Sequence, residues 1–519
     1  MRLETLFEKF ELFADAPDAV AKMRELILDL AVQGRLSATT DSDDWVPIRV
    51  GDIVAEGLSS VNPAETPERL FELWSVPAYA SGQPEVLYGG EIGSSKRALE
   101  NGSILLGKIN PHLNRVWKVA RRTNHPLIAS PEWITIRPDK TWDSDFLARL
   151  LTSPSFNRDL CSTAQGMGSL TRANTRKVAE LEIRRPSLAE QKRIVAKVDA
   201  LMAMCDRLET EQQERETRHA ALARASLARF AEAPTPANLD WIFHSSFSIP
   251  PADLRKSILT LAVQGKLVPQ DPNDETGEQI LRRIQAGLSL KRGANGSMPT
   301  NDHGELPFDL PDGWSASRLG SILLPTRGIS YGVIKLGPEP QQGGVFILRC
   351  SNVRFRRIDL NGIRKVTEEL SSEYGRTVLE GGEVLINVRG TLGGCAVVPP
   401  ELKGYNIARE VAVIPVHTEI DPTFLLNVIA SPYFQDRVDE NLRGIAYEGL
   451  NLGLLRDFLV PIPPLTEQRR IVAKVDELMA WVDALETQLA TARSAGTNLL
   501  AAAVAEITNG NKAHAASEI

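Results

Sequence analysis

Apolar residues recur by fours and threes along a long stretch that starts at Ser187. Ile194, Val198, Leu201, Cys205 and Leu208 fall on one helical seam, with Lys192, Arg193, Lys197, Asp199 and Asp206 between them. The spacing predicts one helix over Ser187–Phe230, and about 40 residues at 1.5 Å each would span about 60 Å. Ser187 followed by Glu190 has the spacing of a capping box, in which each side chain satisfies a free N–H of the first turn. Ile471, Val475, Leu478, Val482, Leu485 and Leu489 repeat the seam further on, where the Pro463-Pro464 pair marks the start. Two matching seams can cover one another, so an antiparallel coiled-coil pairing of these two arms is expected.

The arms are copies. Leu188–Glu209 reads LAEQKRIVAKVDALMAMCDRLE and Leu465–Glu486 reads LTEQRRIVAKVDELMAWVDALE, with 16 of 22 positions identical. A second pair lies upstream, Met23–Leu36 (MRELILDLAVQGRL) and Leu254–Leu267 (LRKSILTLAVQGKL), with 9 of 14 identical. Between these matched ends lie two dissimilar inserts, about Trp45–Pro186 and Trp314–Pro463, each near the commonest single-domain size of roughly 100–150 residues. Both carry strand-like runs bounded by Gly or Pro, such as Gly102–Ile109, Glu132–Arg137, Gly382–Arg389 and Glu410–Pro415. A helical segment then precedes Ser153-Pro154 in one insert and Ser431-Pro432 in the other, so each insert reads as an α+β domain. The polar stretch Val268–Pro311 reads as a mobile connection around one helix, Glu278–Leu288.

Composition narrows the class. A chain of 519 residues with 43% hydrophobic and 24% charged residues is long enough for several globular domains. No apolar run approaches the roughly 18–20 residues of a membrane span. The N-terminus carries acids where a signal peptide has its apolar core, which predicts a cytoplasmic location. Cys161, Cys205, Cys350 and Cys395 are scattered and read as reduced thiols, neither a disulfide framework nor a zinc site. The net charge of −7 means that any phosphate-binding surface must be local.

The duplicated E-Q-x-R-I-V helix start, the LAVQGRL and LAVQGKL helices and the two variable inserts together resemble the specificity subunit of type I restriction–modification systems. The resemblance covers essentially the whole chain, with a shorter connection after Leu36 than after Leu267. It implies an α+β architecture in which two target-recognition domains are separated by two long antiparallel conserved helices, with an internal pseudo-twofold duplication. The implied segments are an N-terminal helical segment (1–44), a first recognition domain (45–187), a central arm (188–232), and a repeated short helix with polar linker (233–313). A second recognition domain (314–464), a C-terminal arm (465–507) and a flexible tail (508–519) complete the chain. The implied partners are double-stranded DNA, two DNA-methyltransferase subunits and restriction subunits. S-adenosylmethionine, ATP and Mg would reside on those partners, and none on this chain. The seam expected to join the arms is Ile194, Val198, Leu201 and Leu208 against Ile471, Val475, Leu478, Val482 and Leu485. Two domains on stiff arms would read an asymmetric, bipartite site, with segments about one helical turn, roughly 34 Å, apart.

Reading DNA takes donors and acceptors for base edges and cations for phosphates. In the first insert the candidates are Lys96 and Arg97, then Lys108, Asn110, His112, Asn114 and Arg115, then Gln165, Ser169 and Thr171 of a Gly-rich run. In the second, Arg349, Asn352, Arg354, Arg356 and Arg357 surround Phe355, with Asn387, Arg389, Tyr447 and Asn451 at comparable places. Taken singly such residues read as solvated surface; taken as clusters they read as contacts.

Catalytic signatures are sparse. No G-x-x-x-x-G-K-S/T cradles a nucleotide. Asn110-Pro111-His112 lacks the second proline and the stacking aromatic of an adenine-methyltransferase motif. Glu401-Leu402-Lys403 has the spacing of some nucleases but stands alone, and the seven histidines show no zinc spacing. A non-catalytic DNA reader is therefore expected. The rivals are a self-sufficient DNA modification enzyme or nuclease, and a coiled-coil adaptor whose inserts bind proteins.

Overall fold

The computed structural model describes residues 5, 8–10, 16, 18–36, 45–166, 170–232, 238, 242, 249–292, 306–443 and 450–509. The chain forms two compact units. The first comprises Met1–Arg215 with Ala490–Ile519, and the second comprises Glu216–Leu489. The two arms are helices of 45 residues, Leu188–Glu232 and Leu465–Asn509, and each contributes one part to each unit. Half of the expected capping box forms at the first arm. Ser187 Oγ accepts the Glu190 N–H at 3.3 Å, whereas the buried Glu190 carboxylate turns to Arg193, 3.1 Å away.

Each arm buries its seam against its own short helix. In the first unit, Met23, Leu26, Ile27 and Leu30 of the helix Ala19–Val32 share a core with Ile194, Val198, Leu201 and Cys205. In the second, Leu254, Ile258 and Leu261 of the helix Pro251–Val263 share a core with Ile471, Val475, Leu478 and Val482. Leu208 and Leu485 pack at the margins of these same two cores. This corrects the expectation that seam faces seam: the duplicated short helix supplies large branched side chains that already cover each stripe. The far ends of the arms join in instead. Leu500, Ala503 and Ile507 enter the first unit's core, and Ala223 and Phe230 enter the second's.

Two small sheets carry each recognition domain. In the first unit, five strands run in the order Ser60–Val61, Lys96–Ala98, Leu127–Ala129, Leu70–Trp74, Glu85–Tyr88. Three more run Val116–Lys118, Ile104–Gly107, Trp133–Ile136. The second unit has a three-stranded sheet, Arg364–Val366, Val345–Leu348, Asn406–Ile407, and a four-stranded one, Ser330–Tyr331, Val411–Ile414, Val384–Asn387, Cys395–Val397.

The registers repeat between units. Ile104 pairs with Ile136 and Lys118 as Val384 pairs with Ile414 and Val397. A parallel strand pairing also recurs, Leu73 with Ile128 and Ile347 with Asn406. In both, the strand that enters the domain pairs antiparallel with the strand that leaves it for the arm, Val46–Arg49 with Glu182–Arg185 and Ser315–Arg318 with Leu459–Ile462.

The glutamine of the E-Q pair explains why that motif recurs. Gln191 is fully buried; its Nε2 donates to the carbonyls of Thr141 and Pro186, and its Oε1 accepts the Asp143 N–H. Gln468 does the same with Pro463 and Asp421. Asp143 and Asp421 in turn cap the helices Ser144–Thr152 and Pro422–Ala430 through their side chains. One side chain thus ties arm, outgoing strand and domain helix together.

The polar connection is more ordered than its composition suggests. Gly277–Arg292 is a helix that buries Ile280 and Ile284 in the second unit's core, and Arg283 pairs with Glu275 and Glu419. The segments 37–44 and 293–305 lie outside the described residues.

Candidate nucleic-acid interface

In both domains the central hairpin ends in a loop with two residues in the left-handed region. In the first unit these are Asn110 (φ 45°) and Asn114 (φ 46°), in the second Gly390 (φ 74°) and Gly393 (φ 83°). The loop closures match, Gly107 N–H to Arg115 O and Asn387 N–H to Gly394 O, each 2.8 Å. Asparagine tolerates this conformation better than most residues, and here its side chain also fixes the loop. Asn110 Oδ1 accepts the Thr171 N–H at 3.0 Å, and Asn114 Nδ2 donates to Thr152 O at 2.6 Å. The exposed tip is His112-Leu113.

Beside this loop the first unit gathers cations from three strands. Arg97 is exposed on Lys96–Ala98, and Lys108 follows Ile104–Gly107. Arg172 lies on Arg172–Ala173, whose Ala173 N–H donates to Lys108 O at 2.9 Å. Lys108 is half-buried, and burial, reinforced by the nearby Arg97 and Arg172, lowers its pKa against the opposing pull of Glu132. Glu132 is already paired with Arg172 at 3.1 Å. A partly desolvated ammonium between two guanidiniums attracts an anion such as a phosphate. Burial also lowers the pKa of Lys96, whose Nζ donates to Ser94 O and Oγ. Arg172 is the residue that sequence reasoning passed over; it sits inside the Gln165–Asn174 run, but only strand pairing brings it to Lys108.

The other first-unit candidates divide. Arg115 donates to Ile109 O, and Gln165 accepts from Asn174 Nδ2 at the exposed edge of Ala164–Gln165. Thr171 serves the Asn110 bridge through its backbone. Ser169 lies outside the described residues, as does Tyr447 in the second unit.

In the second unit two candidates are corrected. Asn352 and Asn387 are 0% and 1% exposed, and both serve the fold. Asn352 Nδ2 donates to Asp359 O and lies near Asn361 O, while its Oδ1 accepts the Arg349 N–H. Asn387 Nδ2 lies within hydrogen-bond distance of the carbonyls of Cys350, Val353 and Thr391. A buried amide that holds several backbone groups cannot also face a base. Other candidates also carry internal bonds: Arg349 donates to Gly362 O, Arg356 pairs with Asp476 at 2.6 Å, and Asn451 caps the helix Leu452–Asp457. Arg389 is half-buried, whereas Arg354, Phe355 and Arg357 are exposed.

Among the described residues no group of three or more His, Cys, Asp or Glu is placed to hold a metal, and no helix is long and apolar enough to cross a membrane.

With this geometry in view, comparison with known proteins identifies the class. The sequence profile described as "Type I restriction modification DNA specificity domain" matches residues 42–216 and 345–492, more than half of the chain. The chain belongs to this family. It is 26% identical over 326 residues to the type I restriction enzyme EcoBI specificity subunit of Escherichia coli, a match covering 63% of this chain and 57% of that protein. With the EcoAI specificity subunit of Escherichia coli it shares 23% identity, covering 92% of each. A chain in a solved structure, titled for complex assembly and conformational transition of the type I R-M system, has a similar fold. That match has a TM-score of 0.51 at 20% identity, over 89% of this chain and 97% of that one.

Proposed function

We propose that this chain is the DNA-reading specificity subunit of a type I restriction–modification complex, itself non-catalytic. Each unit's recognition domain reads one part of an asymmetric, gapped site. The arms, running antiparallel, set the gap and present two equivalent docking surfaces to two methyltransferase subunits, in a pseudo-twofold duplication. Restriction subunits join the larger assembly. S-adenosylmethionine, ATP and Mg act on those partners, and the complex works in the cytoplasm.

The observation that carries this reading is a conserved frame around unlike loops. Strand registers, arm starts and the buried glutamines repeat between the units, while the loop residues that face outward differ. A repeated frame suits two equivalent partners, and unlike loops suit two different base sequences. The specificity-domain family match supports the same conclusion.

The test is to co-express the chain with its methyltransferase subunit and map modified bases. The expected result is a two-part motif with an unspecified gap, absent without this chain. Exchange of residues 45–187 for those of a relative should then change one part and leave the other. Methylation without a gapped motif, or unaffected by the chain, would overturn the proposal.

A further inference from the structure

The segment after the first parallel strand differs between the units. In the first unit ten residues (75–84) connect Leu70–Trp74 to Glu85–Tyr88. They form a short 3-10 turn, Pro77–Ser81, and Tyr79 packs inward with ring centroids 5.7 Å from Trp117 and 6.0 Å from Trp133. In the second unit fifteen residues (349–363) cover the equivalent span. They build a hairpin from Val353–Arg354 and Arg357–Ile358, with Arg354 opposite Arg357. At its turn Phe355 points outward and is 42% exposed.

Single exposed apolar residues are common and need no explanation. Here the surroundings supply one. Arg354 and Arg357, partners across the hairpin, are both exposed next to its turn. Arg356, beside it, adopts φ 57° and anchors the turn: its N–H donates to Cys395 O at 2.7 Å and its guanidinium pairs with Asp476 of the second arm. The buried Asn352 and Asn387 hold the base of the hairpin through the backbone groups already described. An exposed aromatic ring is therefore carried on a hairpin anchored at base and tip, with two exposed cations on the same hairpin.

We propose that Phe355 is a wedge that stacks into a base step of the DNA segment read by the second unit, with Arg354 and Arg357 on the flanking phosphates. This rests on the reading of the chain as a DNA specificity subunit. Apolar wedges unstack a step locally, at a cost that the extra contacts offset. The two exposed cations make a polyanion the complementary occupant, and the ring sits on a two-stranded ribbon of the kind a groove admits. Since the corresponding segment of the first unit turns its aromatic, Tyr79, inward, the distortion should be confined to one half of the site.

The experiment uses the chain assembled with its methyltransferase subunits and duplexes bearing the mapped site. 2-Aminopurine is placed at successive positions through both halves. Apart from the target base that each methyltransferase subunit flips out, wild type should raise fluorescence at one step of the second half only. Phe355→Ala should abolish that signal and weaken binding about ten- to a hundredfold, with unchanged melting behaviour. Phe355→Trp should retain both, and Arg354→Ala with Arg357→Ala should flatten the salt dependence by about two counterions. No fluorescence change in wild type despite specific binding, or full signal and affinity in Phe355→Ala, overturns the wedge and leaves the specificity reading intact. Failure of wild type to select any sequence overturns that reading and the wedge together.

Discussion

Replacing Gln191 with Met should destabilise the first unit by about 3–6 kcal/mol. Methionine keeps nearly the same length and volume, so packing changes little. What is lost is the amide. Pro186 O (2.9 Å) would lose its partner in a buried bond, and Thr141 O (3.0 Å) and the Asp143 N–H (2.6 Å) would lose theirs in half-buried ones. A buried polar group left unpaired costs about 1–3 kcal/mol, and three such groups with partial relaxation give the quoted range. That is a large share of the roughly 5–15 kcal/mol that a typical domain has. Because the chain has two units, a single melting temperature would mix them. Hydrogen exchange of the helix Ser144–Thr152, read against its counterpart Pro422–Ala430, isolates the effect. Exchange should rise in the first helix and not in the second, and Gln468→Met should reverse the pattern. A loss below about 1 kcal/mol, or equal deprotection of both helices, would refute the reasoning, because the glutamine would then not be the local tie.

Arg24→Ala, which removes contacts to Asp206 and Glu209 at 2.7 and 2.6 Å, should cost only about 0.5–1 kcal/mol, since both acids are largely exposed. The loss should shrink in high salt, as seen by thermal melts of variant and wild type in about 50 mM and about 1 M salt, between which the screening length falls about four- to fivefold. Glu467 is buried and its pKa is raised by that burial, against the bonds from Trp314 and Gln270. A carboxyl whose folded pKa is raised favours folding when protonated, so its contribution is lost as pH climbs from the ordinary 4.5 through the folded pKa. Glu467→Gln should therefore flatten the acid-to-neutral stability profile of the second unit, which urea titrations from acid to neutral pH would test. Lys108→Gln should weaken DNA binding about equally on every sequence and reduce the slope of log K against log salt by about 1. A shift in the methylated motif instead would assign Lys108 to a base.

The arms were readable because an amphipathic seam with four-three spacing over many turns has few other interpretations. What covers a seam is a different question. Periodicity shows that one face is buried and says nothing of the partner, which is why Ile194 and Ile471 were paired with each other when each meets its own short helix. The asparagines failed for a related reason. Asn352 and Asn387 sit in polar, cation-rich stretches that look like reading loops, yet both amides face inward to hold backbone carbonyls. Composition cannot separate an amide aimed at a base from one aimed at a carbonyl. Arg172 shows the converse: its place beside Lys108 arises only from the pairing of Ala164–Gln165 with Arg172–Ala173 and the closure onto Lys108.

The duplication also accounts for where the two halves are free to differ. The loop that carries His112 in one unit and Thr391 in the other begins and ends in left-handed backbone in both, although one uses two asparagines and the other two glycines. Either residue type meets the same conformational demand, so the frame survives while the tip between them changes length and chemistry. The hairpin of Phe355 is the larger version of the same freedom. Five further residues are accommodated between two strands whose antiparallel pairing matches, Ile347 with Arg364 as Leu73 with Glu85, while the neighbouring parallel contact, Leu348 with Ile407, matches Trp74 with Ala129. Reading can therefore diverge at the loops without altering the arms, provided that the buried glutamines continue to tie domain to arm. The outward loops and the ties between domain and arm rest on separate residues, which is the physical condition for one frame to carry two different reading surfaces.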